Sequence, residues 1–403
     1  MSEVANIPQL RFSEFSGEWE EKKLGELCKF TQGVQIPFSE QLTKYKEGAI
    51  RYLYIRDFFT DDFPYYVKDQ YPNKVIHTDE IMMVNTGNTA GKAFMGATGV
   101  LSNNAFKVSF DKTKVSNIFL FQRITSDTIQ RRIKSFFNAG GQPHLGHKNI
   151  AIIPMGFASL KEQQKIAAFL TAVDNKIEQL SKKKELLGEY KKGLMQKIFS
   201  QAIRFKADDG GDYPDWEELK LGEVARFRRG SFPQPYGNPE WYDDEDGKPF
   251  VQVYDVAGNM RLKSTTKRKI SVLAQSSSVF VPKGNVVLTI QGSIGRIALT
   301  QYDAYVDRTL LIFTGYIKEV NKQFFIYVIY LLFEIEKIKA PGGTIKTITK
   351  EALTSFKLDL PCFDEQTKIA NFLSSIDSKI EQVGKQLDKS KQFKKALLQQ
   401  MFV

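Results

Sequence analysis

Residues 162–199 read EQQKIAAFLTAVDNKIEQLSKKKELLGEYKKGLMQKIF, and this stretch decides the architecture that the sequence predicts. Its apolar residues recur at alternating steps of four and three, the spacing of a coiled-coil seam: Ile166, Leu170, Val173, Ile177, Leu180, Leu187, Leu194 and Ile198. Lys184 and Lys191 occupy the two seam positions that this series leaves open. Because one helix cannot bury so narrow a stripe by itself, we predict a long helix that packs against another.

The helix sequence returns near the end of the chain. The letters EQQKIA from Glu162 recur as EQTKIA from Glu365, and the same seam continues through Ile369, Leu373, Ile376, Ile380 and Val383. Two helices of about forty residues would each be about 60 Å long, enough to hold two other parts of the protein apart. The alternative is that both helices pack inside one large core, which their lysine-rich outer faces disfavour.

Length and charge limit the classes of function that the chain can have. Because 403 residues exceed the size at which a single hydrophobic core stops growing, two or more domains are predicted. A net charge of +11 favours a polyanionic partner such as nucleic acid, although a generally basic enzyme would also fit. The longest apolar run, residues 324–333, is too short for a membrane span, and the first residues lack a signal-peptide pattern. We therefore expect a cytoplasmic protein.

A second repeat frames the two halves of the chain. The letters WEEKKLGE from Trp19 return as WEELKLGE from Trp216, which predicts domain duplication. The order of short strands, apolar helical segment (118–137 or 324–338), glycine turn (139–142 or 340–344), last strand (150–155 or 353–360) and long helix favours an α+β class over alternating βαβ units. The predicted parts are a first globule at 1–158, a first spacer helix at 159–202, a second globule at 203–359 and a second spacer helix at 360–403.

The two globules differ in the polar residues of their turns. Asn, Gln, Arg and Lys side chains read base edges in the major groove, whereas cations such as Lys148, Arg228 and Arg229 would hold phosphates. For any single residue, an ordinary polar loop position remains the alternative. The candidate DNA-binding residues are Gln32, Asn85, Asn88, Lys92, Gln142, His144, Lys148, Arg228, Arg229, Gln291, Ser293, Arg296, Thr344 and Lys346.

The sequence carries no convincing active site. Residues 87–93 lack both the glycine spacing and the Ser or Thr of a phosphate-binding loop. His144 and His147 have no third ligand cluster beside them, which disfavours a metal site. Residues 238–241 read NPEW and approach the Asn-Pro-Pro-Tyr loop of amino-methyltransferases, but the second proline and a glycine-rich cofactor loop are missing. We therefore predict a non-catalytic chain without a metal or cofactor of its own.

The duplicated frame resembles the specificity subunit of type I restriction–modification enzymes over essentially the whole chain. Residues 19–26, 216–223, 162–179 and 365–382 carry the resemblance. It implies an α+β fold in which two α/β target recognition domains are separated by two long helices that form an antiparallel coiled coil, with an internal pseudo-twofold duplication. Each domain would read one half of a bipartite asymmetric DNA site, and the helices would fix the gap between the halves.

The resemblance also implies partners. Besides double-stranded DNA, these are two modification subunits, which use S-adenosylmethionine to methylate adenine N6, and restriction subunits, which use ATP and Mg²⁺ to cut DNA. Two other hypotheses stay open, a coiled-coil scaffold that joins protein partners and an enzyme with an unrecognised active site. Charge reversal at Arg228 and Arg229 would leave a scaffold unaffected, whereas methyl transfer by this chain alone would favour the enzyme.

Overall fold

The computed structural model describes residues 6–60, 62–137, 141–339, 348 and 350–403. Its contacts divide the chain into two compact units: unit 1 is Met1–Lys183 with Val383–Val403, and unit 2 is Lys184–Gln382. Two long helices, Leu160–Phe199 and Phe363–Gln400, contribute residues to both units. The four-part division predicted from the sequence stays a prediction.

Unit 1 begins with a run of short strands and helices. In chain order these are β1 (Glu20–Lys23), α1 (Leu24–Leu27), β2 (Cys28–Gln32), β3 (Ala49–Leu53), β4 (Tyr65–Lys68), β5 (Val75–Ile76), β6 (Ile81–Val84), β7 (Ala93–Phe94), β8 (Gly99–Leu101), β9 (Ala105–Phe110), α2 (Asn117–Thr125), α3 (Asp127–Lys134), α4 (His147–Ala151), β10 (Pro154–Phe157) and the long helix α5 (Leu160–Phe199). Short 3-10 helices form at Phe38–Glu40, Ile55–Phe58 and Pro72–Lys74.

Unit 2 follows nearly the same order of elements. Its members are β11 (Glu217–Lys220), α6 (Leu221–Val224), β12 (Ala225–Arg229), β13 (Lys248–Val251), β14 (Arg268–Ile270), α7 (Val272–Gln275), β15 (Val279–Val281), β16 (Val286–Thr289), β17 (Ile297–Leu299), β18 (Ala304–Val306), β19 (Leu310–Tyr316), α8 (Lys322–Lys339), α9 (Lys350–Thr354), β20 (Lys357–Leu360) and the long helix α10 (Phe363–Gln400). Short 3-10 helices form at Pro239–Trp241 and Val253–Asp255. One helix, α8, lies at the place of α2 and α3, and α7 is an additional short α-helix.

The strands of the two units share one topology although their sequences differ. In unit 1 the sheet orders are β2-β9-β6-β7 and β4-β3-β8-β5, and β1 pairs with β10. In unit 2 the corresponding orders are β12-β19-β16-β17 and β14-β13-β18-β15, and β11 pairs with β20. Most neighbours are antiparallel, while β3 with β8 and β13 with β18 are parallel. The predicted α+β class and internal duplication are confirmed.

Several predicted elements have different ends in the structure. The single helical segment predicted at 118–137 is wrong, because Ser126 adopts an extended conformation between α2 and α3 and its Oγ donates to Arg123 O at 2.7 Å. The apolar runs 150–155 and 353–360, predicted as strands, start instead as the short helices α4 and α9. The glycine turns predicted at 139–142 and 340–344 lie largely outside the described residues.

Most of the residues predicted for the seam of the long helices are buried. Ile166, Leu170 and Leu180 of α5 are buried, as are Ile369, Leu373, Ile376 and Val383 of α10, and the remaining members Val173, Ile177 and Ile380 are half-buried. Near the end of α5 Met195 and the predicted seam member Ile198 are both buried, whereas the predicted member Leu194 is half-buried.

Each unit pairs opposite ends of the two long helices. In unit 1 the start of α5 shares a core with the end of α10, through Leu170 and Leu397. In unit 2 the end of α5 shares a core with the start of α10, through Ile198 and Leu373. Each cluster therefore contains residues of both long helices, taken from opposite ends of the two.

Equivalent ion pairs mark this pairing in the two units. In unit 1 Lys394 Nζ lies 2.6 Å from Asp174 Oδ1, and in unit 2 Lys191 Nζ lies 2.6 Å from Asp377 Oδ1. Each aspartate also accepts a hydrogen bond from the helix beside it, as Gln122 Nε2 donates to Asp174 at 2.7 Å and Tyr327 Oη donates to Asp377 at 2.7 Å. The Asp377 carboxylate therefore pairs with Lys191 at the seam position where the sequence places this lysine.

The repeated residues at the helix starts fasten each globule to its long helix. In unit 1 the Glu162 carboxylate, 2 % exposed, accepts from Arg11 Nε and Nη2 at 2.8 Å each and from Trp19 Nε1 at 3.2 Å. This set joins the first residues of the unit to the start of α5. A bidentate, charge-assisted arrangement of this kind is among the stronger polar contacts in proteins.

Unit 2 repeats the same junction with the same residue types. Glu365, which is 0 % exposed, accepts from Arg204 Nε at 3.2 Å, from Arg204 Nη2 at 2.8 Å and from Trp216 Nε1 at 2.9 Å. The glutamine that follows each glutamate also bonds to backbone, since Gln163 Oε1 accepts from Ser116 N and Gln366 Oε1 accepts from Asn321 N, both at 2.9 Å. These contacts give the repeated letters a structural role.

Candidate nucleic-acid interface

One end of the larger sheet of unit 1 gathers polar residues from two strands. Gln32, the last residue of β2, pairs with Phe106 of β9, which pairs on its other side with Met83 near the end of β6. The register therefore places Gln32 at the same end of the sheet as the hairpin loop 85–92. Gln32 Nε2 donates to Asn103 O at 2.5 Å and to Ala105 O at 3.2 Å, which fixes its amide there.

The hairpin loop 85–92 is joined to the segment that precedes α4. Gly87 N donates to Pro143 O at 2.9 Å, Leu145 N donates to Asn85 O at 2.7 Å, and Thr86 Oγ1 lies 3.2 Å from His144 Nδ1. The predicted candidates of the two segments are therefore brought together at one place. Exposed members of this set are Asn88, Lys92, Gln142, His144 and Lys148, whereas Asn85 is only 6 % exposed.

The equivalent end of the sheet in unit 2 carries the other candidates. Arg229, the last residue of β12, pairs with Leu311 of β19, whose neighbour Leu310 pairs with Thr289 at the end of β16. Arg229 therefore lies at the same end of the sheet as the hairpin loop 290–296. Exposed candidates here are Arg228, Arg229, Gln291, Ser293 and Arg296, while Thr344 and Lys346 lie outside the described residues.

A glycine lets each hairpin loop pack closely against a neighbouring helix. Gly91 and Gly295 both have φ of +84°, a region that favours glycine. A Cβ on Gly91 would lie 2.5 Å from Ile133 Cγ2 of α3, and one on Gly295 would lie 2.6 Å from Phe333 Cδ1 of α8. The two loops thus pack on their helices in the same way, through a glycine, while their polar residues differ.

A 3-10 turn that the candidate residues do not include lies beside each hairpin. In unit 1 the rings of Phe58 and Phe59 each have centroids 5.2 Å from that of Phe94, and Lys92 Nζ lies 5.7 Å from the Phe59 ring centroid. In unit 2 Arg296 Nη1 donates to Val256 O at 3.4 Å. Turn and hairpin therefore form one continuous surface in each unit, which we call the reading surface.

The two 3-10 turns close in the same way. Asp57 Oδ2 accepts from Tyr54 N at 2.7 Å, and Asp255 Oδ2 accepts from Gln252 N at 2.9 Å. The sequence signal for these turns was the echo between residues 54–57 and 252–255, each ending in an aspartate. By sequence alone each of these stretches resembles the end of a strand, which gives no reason to count its side chains among the candidate DNA-binding residues.

The turn of unit 2 is fixed by a chain of side-chain hydrogen bonds. Tyr236 Oη donates to the buried Asp307 at 2.8 Å, Gln252 Nε2 donates to Tyr236 Oη, and Tyr254 Oη donates to Gln252 Oε1. Burial, with a smaller contribution from the nearby Asp255 carboxylate, raises the pKa of Tyr254 to about 12, so its hydroxyl stays protonated at neutral pH.

The two histidines of the segment 144–147 have different surroundings. His144 is exposed beside Thr86, whereas the His147 ring packs against Phe106 and Phe30 with centroids 4.8 and 6.0 Å away. Burial, and then the neighbouring His144, lower the pKa of His147. Among the described residues no cluster of three or more His, Cys, Asp or Glu side chains could hold a metal ion.

The lowered pKa of His147 predicts a pH dependence of stability. Because the unfolded chain binds the proton more readily than the fold does, acidification through about pH 6.5 should lower the free energy of unfolding of unit 1. Replacing His147 with phenylalanine should remove part of that loss, as measured by urea unfolding at pH 8 and pH 5.5. The exposed change His77→Gln is the control, and equal pH dependence in His147→Phe and the unmodified protein would contradict the prediction.

Comparison with known proteins places this architecture in a family. The family model described as the type I restriction modification DNA specificity domain matches the chain twice, over residues 16–188 and 213–389. The chain belongs to this family. Each match contains one reading surface and the tryptophan and glutamate of one junction, so the duplication seen in the fold is the duplication of the DNA-specificity domain.

Individual relatives agree with the family. The chain is 26 % identical to the type I restriction enzyme MjaVIII specificity subunit of Methanocaldococcus jannaschii, over 94 % of this chain and 91 % of that protein. The S subunit of a type I restriction–modification system from M. genitalium has the same fold, with a TM-score of 0.63 and 16 % identity over 98 % of this chain and 99 % of that one.

A second solved structure also shares the fold of this DNA-specificity chain. It comes from a study of complex assembly and conformational transition of the type I restriction–modification system, with a TM-score of 0.58 and 18 % identity over 94 % of this chain and 96 % of the other.

Within the described residues, no helix has the length and apolar character needed to cross a membrane.

Proposed function

We propose that this specificity subunit reads a bipartite, asymmetric DNA site, with unit 1 reading one half and unit 2 the other. The observation that carries the proposal is one sheet topology that occurs twice, with unlike polar residues on equivalent hairpins. If duplication served stability alone, the exposed loop residues would not need different chemistry. An asymmetric site needs two readers of the same shape whose base-contacting side chains differ.

The charge of the reading surfaces supports contact with DNA. Lys92, Lys148, Arg228, Arg229 and Arg296 are exposed on or beside the two surfaces. Cations of this kind hold phosphates and supply binding that depends on salt but not on base sequence. Amides such as Asn88 and Gln291 would then select bases, because Asn and Gln can bond in a bidentate manner to adenine.

The long helices would set the gap between the two half-sites. At 1.5 Å per residue, α5 and α10 are about 60 Å long, more than the 34 Å of one DNA turn. Their ion pairs, Asp174 with Lys394 and Asp377 with Lys191, lock the helix register at two places. A fixed register would keep the number of unread base pairs constant.

Catalysis belongs to partner subunits in this proposal. Two modification subunits would bring S-adenosylmethionine for adenine N6 methylation, and restriction subunits would bring ATP and Mg²⁺ for cutting. The support is the family of the chain, whose model describes the DNA-specificity domain of type I restriction–modification and matches residues 16–188 and 213–389. We place the assembly in the cytoplasm, where the DNA lies.

Exchanging the variable segment of unit 1 tests whether each unit reads one half-site. Residues 34–157, which lie between the repeated frame and α5, would be replaced by the same segment of a relative. DNA bound by the subunit with its modification partners would then be selected from a random library. We expect one half-site to change, while the other half-site and the gap stay as they were.

The reciprocal exchange of residues 231–360 is the matched control and should change only the other half-site. A change in both half-sites after either exchange, or no sequence preference in the unmodified complex, would contradict the proposed function.

A further inference from the structure

The two 3-10 turns place unlike side chains at equivalent points of the reading surfaces. Arg56 follows the first residue of the turn Ile55–Phe58, and Tyr254 follows the first residue of the turn Val253–Asp255. Both turns sit next to a hairpin loop and both are closed by an aspartate. The aspartate-closed start of the turn is therefore alike in the two units, while the exposed side chain is a cation in one and a phenol in the other.

Arg56 is held in a fixed position although it is half exposed. Its Cζ lies 5.2 Å from the ring centroid of Tyr54 and 5.1 Å from that of Tyr65. Its Nε lies 3.8 Å from Asp57 Oδ1, and Nη2 donates to Phe63 O at 3.4 Å. The side chain is nonetheless 50 % exposed. A guanidinium positioned in this way loses little conformational entropy when it binds a further acceptor.

Resting on the proposed function, we propose that Arg56 reads a guanine in the half-site of unit 1. A guanidinium donates in a bidentate manner to guanine O6 and N7, and this pairing separates guanine from the other bases by about 1–3 kcal/mol. A phosphate contact needs no such clamp, because a mobile lysine or arginine satisfies it. The two tyrosines and Asp57 fix both the plane and the direction of the guanidinium, which base readout requires.

Tyr254 makes a different contact at the equivalent point of unit 2. Its hydroxyl is used inside the protein on Gln252, so the exposed part is the ring, with 38 % of the residue accessible. Lys267 Nζ lies 4.9 Å from the ring centroid and supports it from one side. A ring without an available donor cannot make the bidentate contact to guanine, and it offers an apolar surface such as a thymine methyl group accepts. The equivalent position of the second half-site is therefore not read as guanine.

The test compares Arg56→Lys and Arg56→Gln with the unmodified chain, each assembled with its modification partners. Bound DNA would be selected from a random library and the base frequencies at every position compared. We expect one guanine of one half-site to lose about tenfold in preference in both variants, while the other half-site and the gap are unchanged. Arg131→Lys, at an exposed arginine of α3, is the control and should select the same site as the unmodified chain.

The same experiment distinguishes a wrong role for Arg56 from a wrong proposed function, because the second half-site is read independently of Arg56. A bipartite site in the unmodified complex with every guanine retained in both Arg56 variants would overturn the role of Arg56 and leave the proposed function intact. Loss of both half-sites in the Arg56 variants would show that Arg56 supports the fold, which would also overturn it. Tyr254→Ala should alter one position of the second half-site only, and a change in the first half-site would contradict the equivalence of the two turns.

Discussion

Replacing Glu162 with alanine is expected to lower the free energy of unfolding of unit 1 by about 3 kcal/mol. The change leaves the Arg11 guanidinium and the buried Trp19 N–H without the carboxylate that both use. Removing one partner of a buried ion pair costs about 3–5 kcal/mol, and the partial exposure of Arg11 places the expected cost at the lower end. Backbone amides of unit 1 should then exchange with solvent about a hundredfold faster, as measured by hydrogen–deuterium exchange.

Two variants make this measurement specific. Gln164→Ala, at an exposed position two residues along the same helix, should leave the exchange rates unchanged. Glu365→Ala should instead speed amide exchange in unit 2, because Glu365 makes the same contacts with Arg204 and Trp216. Equal exchange rates in Glu162→Ala and the unmodified protein would show that the junction does not stabilise the unit.

Lengthening both long helices is expected to widen the gap between the half-sites without changing what they read. Seven residues would be inserted after Lys183 in α5 and after Gly384 in α10, positions that lie at matching distances from the ion pairs in the two helices. Seven residues preserve the heptad seam and add about 10 Å, the length of about three base pairs. DNA selected by the complex should therefore show the same half-sites about three base pairs further apart.

An insertion of five residues in each helix is the matched control for this experiment. Five residues do not preserve the seam, so apolar side chains would turn toward solvent and selective binding should be lost. If the seven-residue insertion left the gap unchanged, or changed either half-site, the helices would not set the spacing.

The sequence predicted the long helices and the duplication because both depend on local, repeated signals. Heptad spacing around Ile166 and Ile369 is visible without knowledge of the fold, and so are the two copies of WEE and LGE. The structure adds the reason for the repetition, since Trp19 and Glu162, far apart in sequence, meet in one buried contact. Long-range partners of this kind leave no periodic signal in a single sequence.

The reading surfaces were predicted only in part, for a related physical reason. Residues such as Asn88 and Gln291 follow a strand and precede a glycine, so their loop positions could be recognised. Arg56 and Tyr254 lie in 3-10 turns that are joined to the hairpins by long-range contacts, such as the packing of Phe58 on Phe94 and the hydrogen bond from Arg296 Nη1 to Val256 O. Their sequence neighbours resemble the end of an ordinary strand.

Repeated residues keep the same contacts in both units, whereas variable residues differ at equivalent points of the sheets. Glu162 and Glu365, with their arginine and tryptophan partners, keep the same contacts in both units. Gln32 and Arg229 occupy the same point at the end of equivalent strands and differ in charge and shape. We therefore propose that the repeated residues stabilise the units and that the variable residues choose the bases.

The central claim is that two readers of one fold recognise unlike halves of a single DNA site. Mapping every N6-methylated adenine in DNA from cells that carry this chain with its partner subunits tests it most directly. The account predicts modification at one motif made of two different short sequences separated by a constant number of unspecified base pairs. A continuous motif without a gap, or a motif whose two halves are identical, would contradict it.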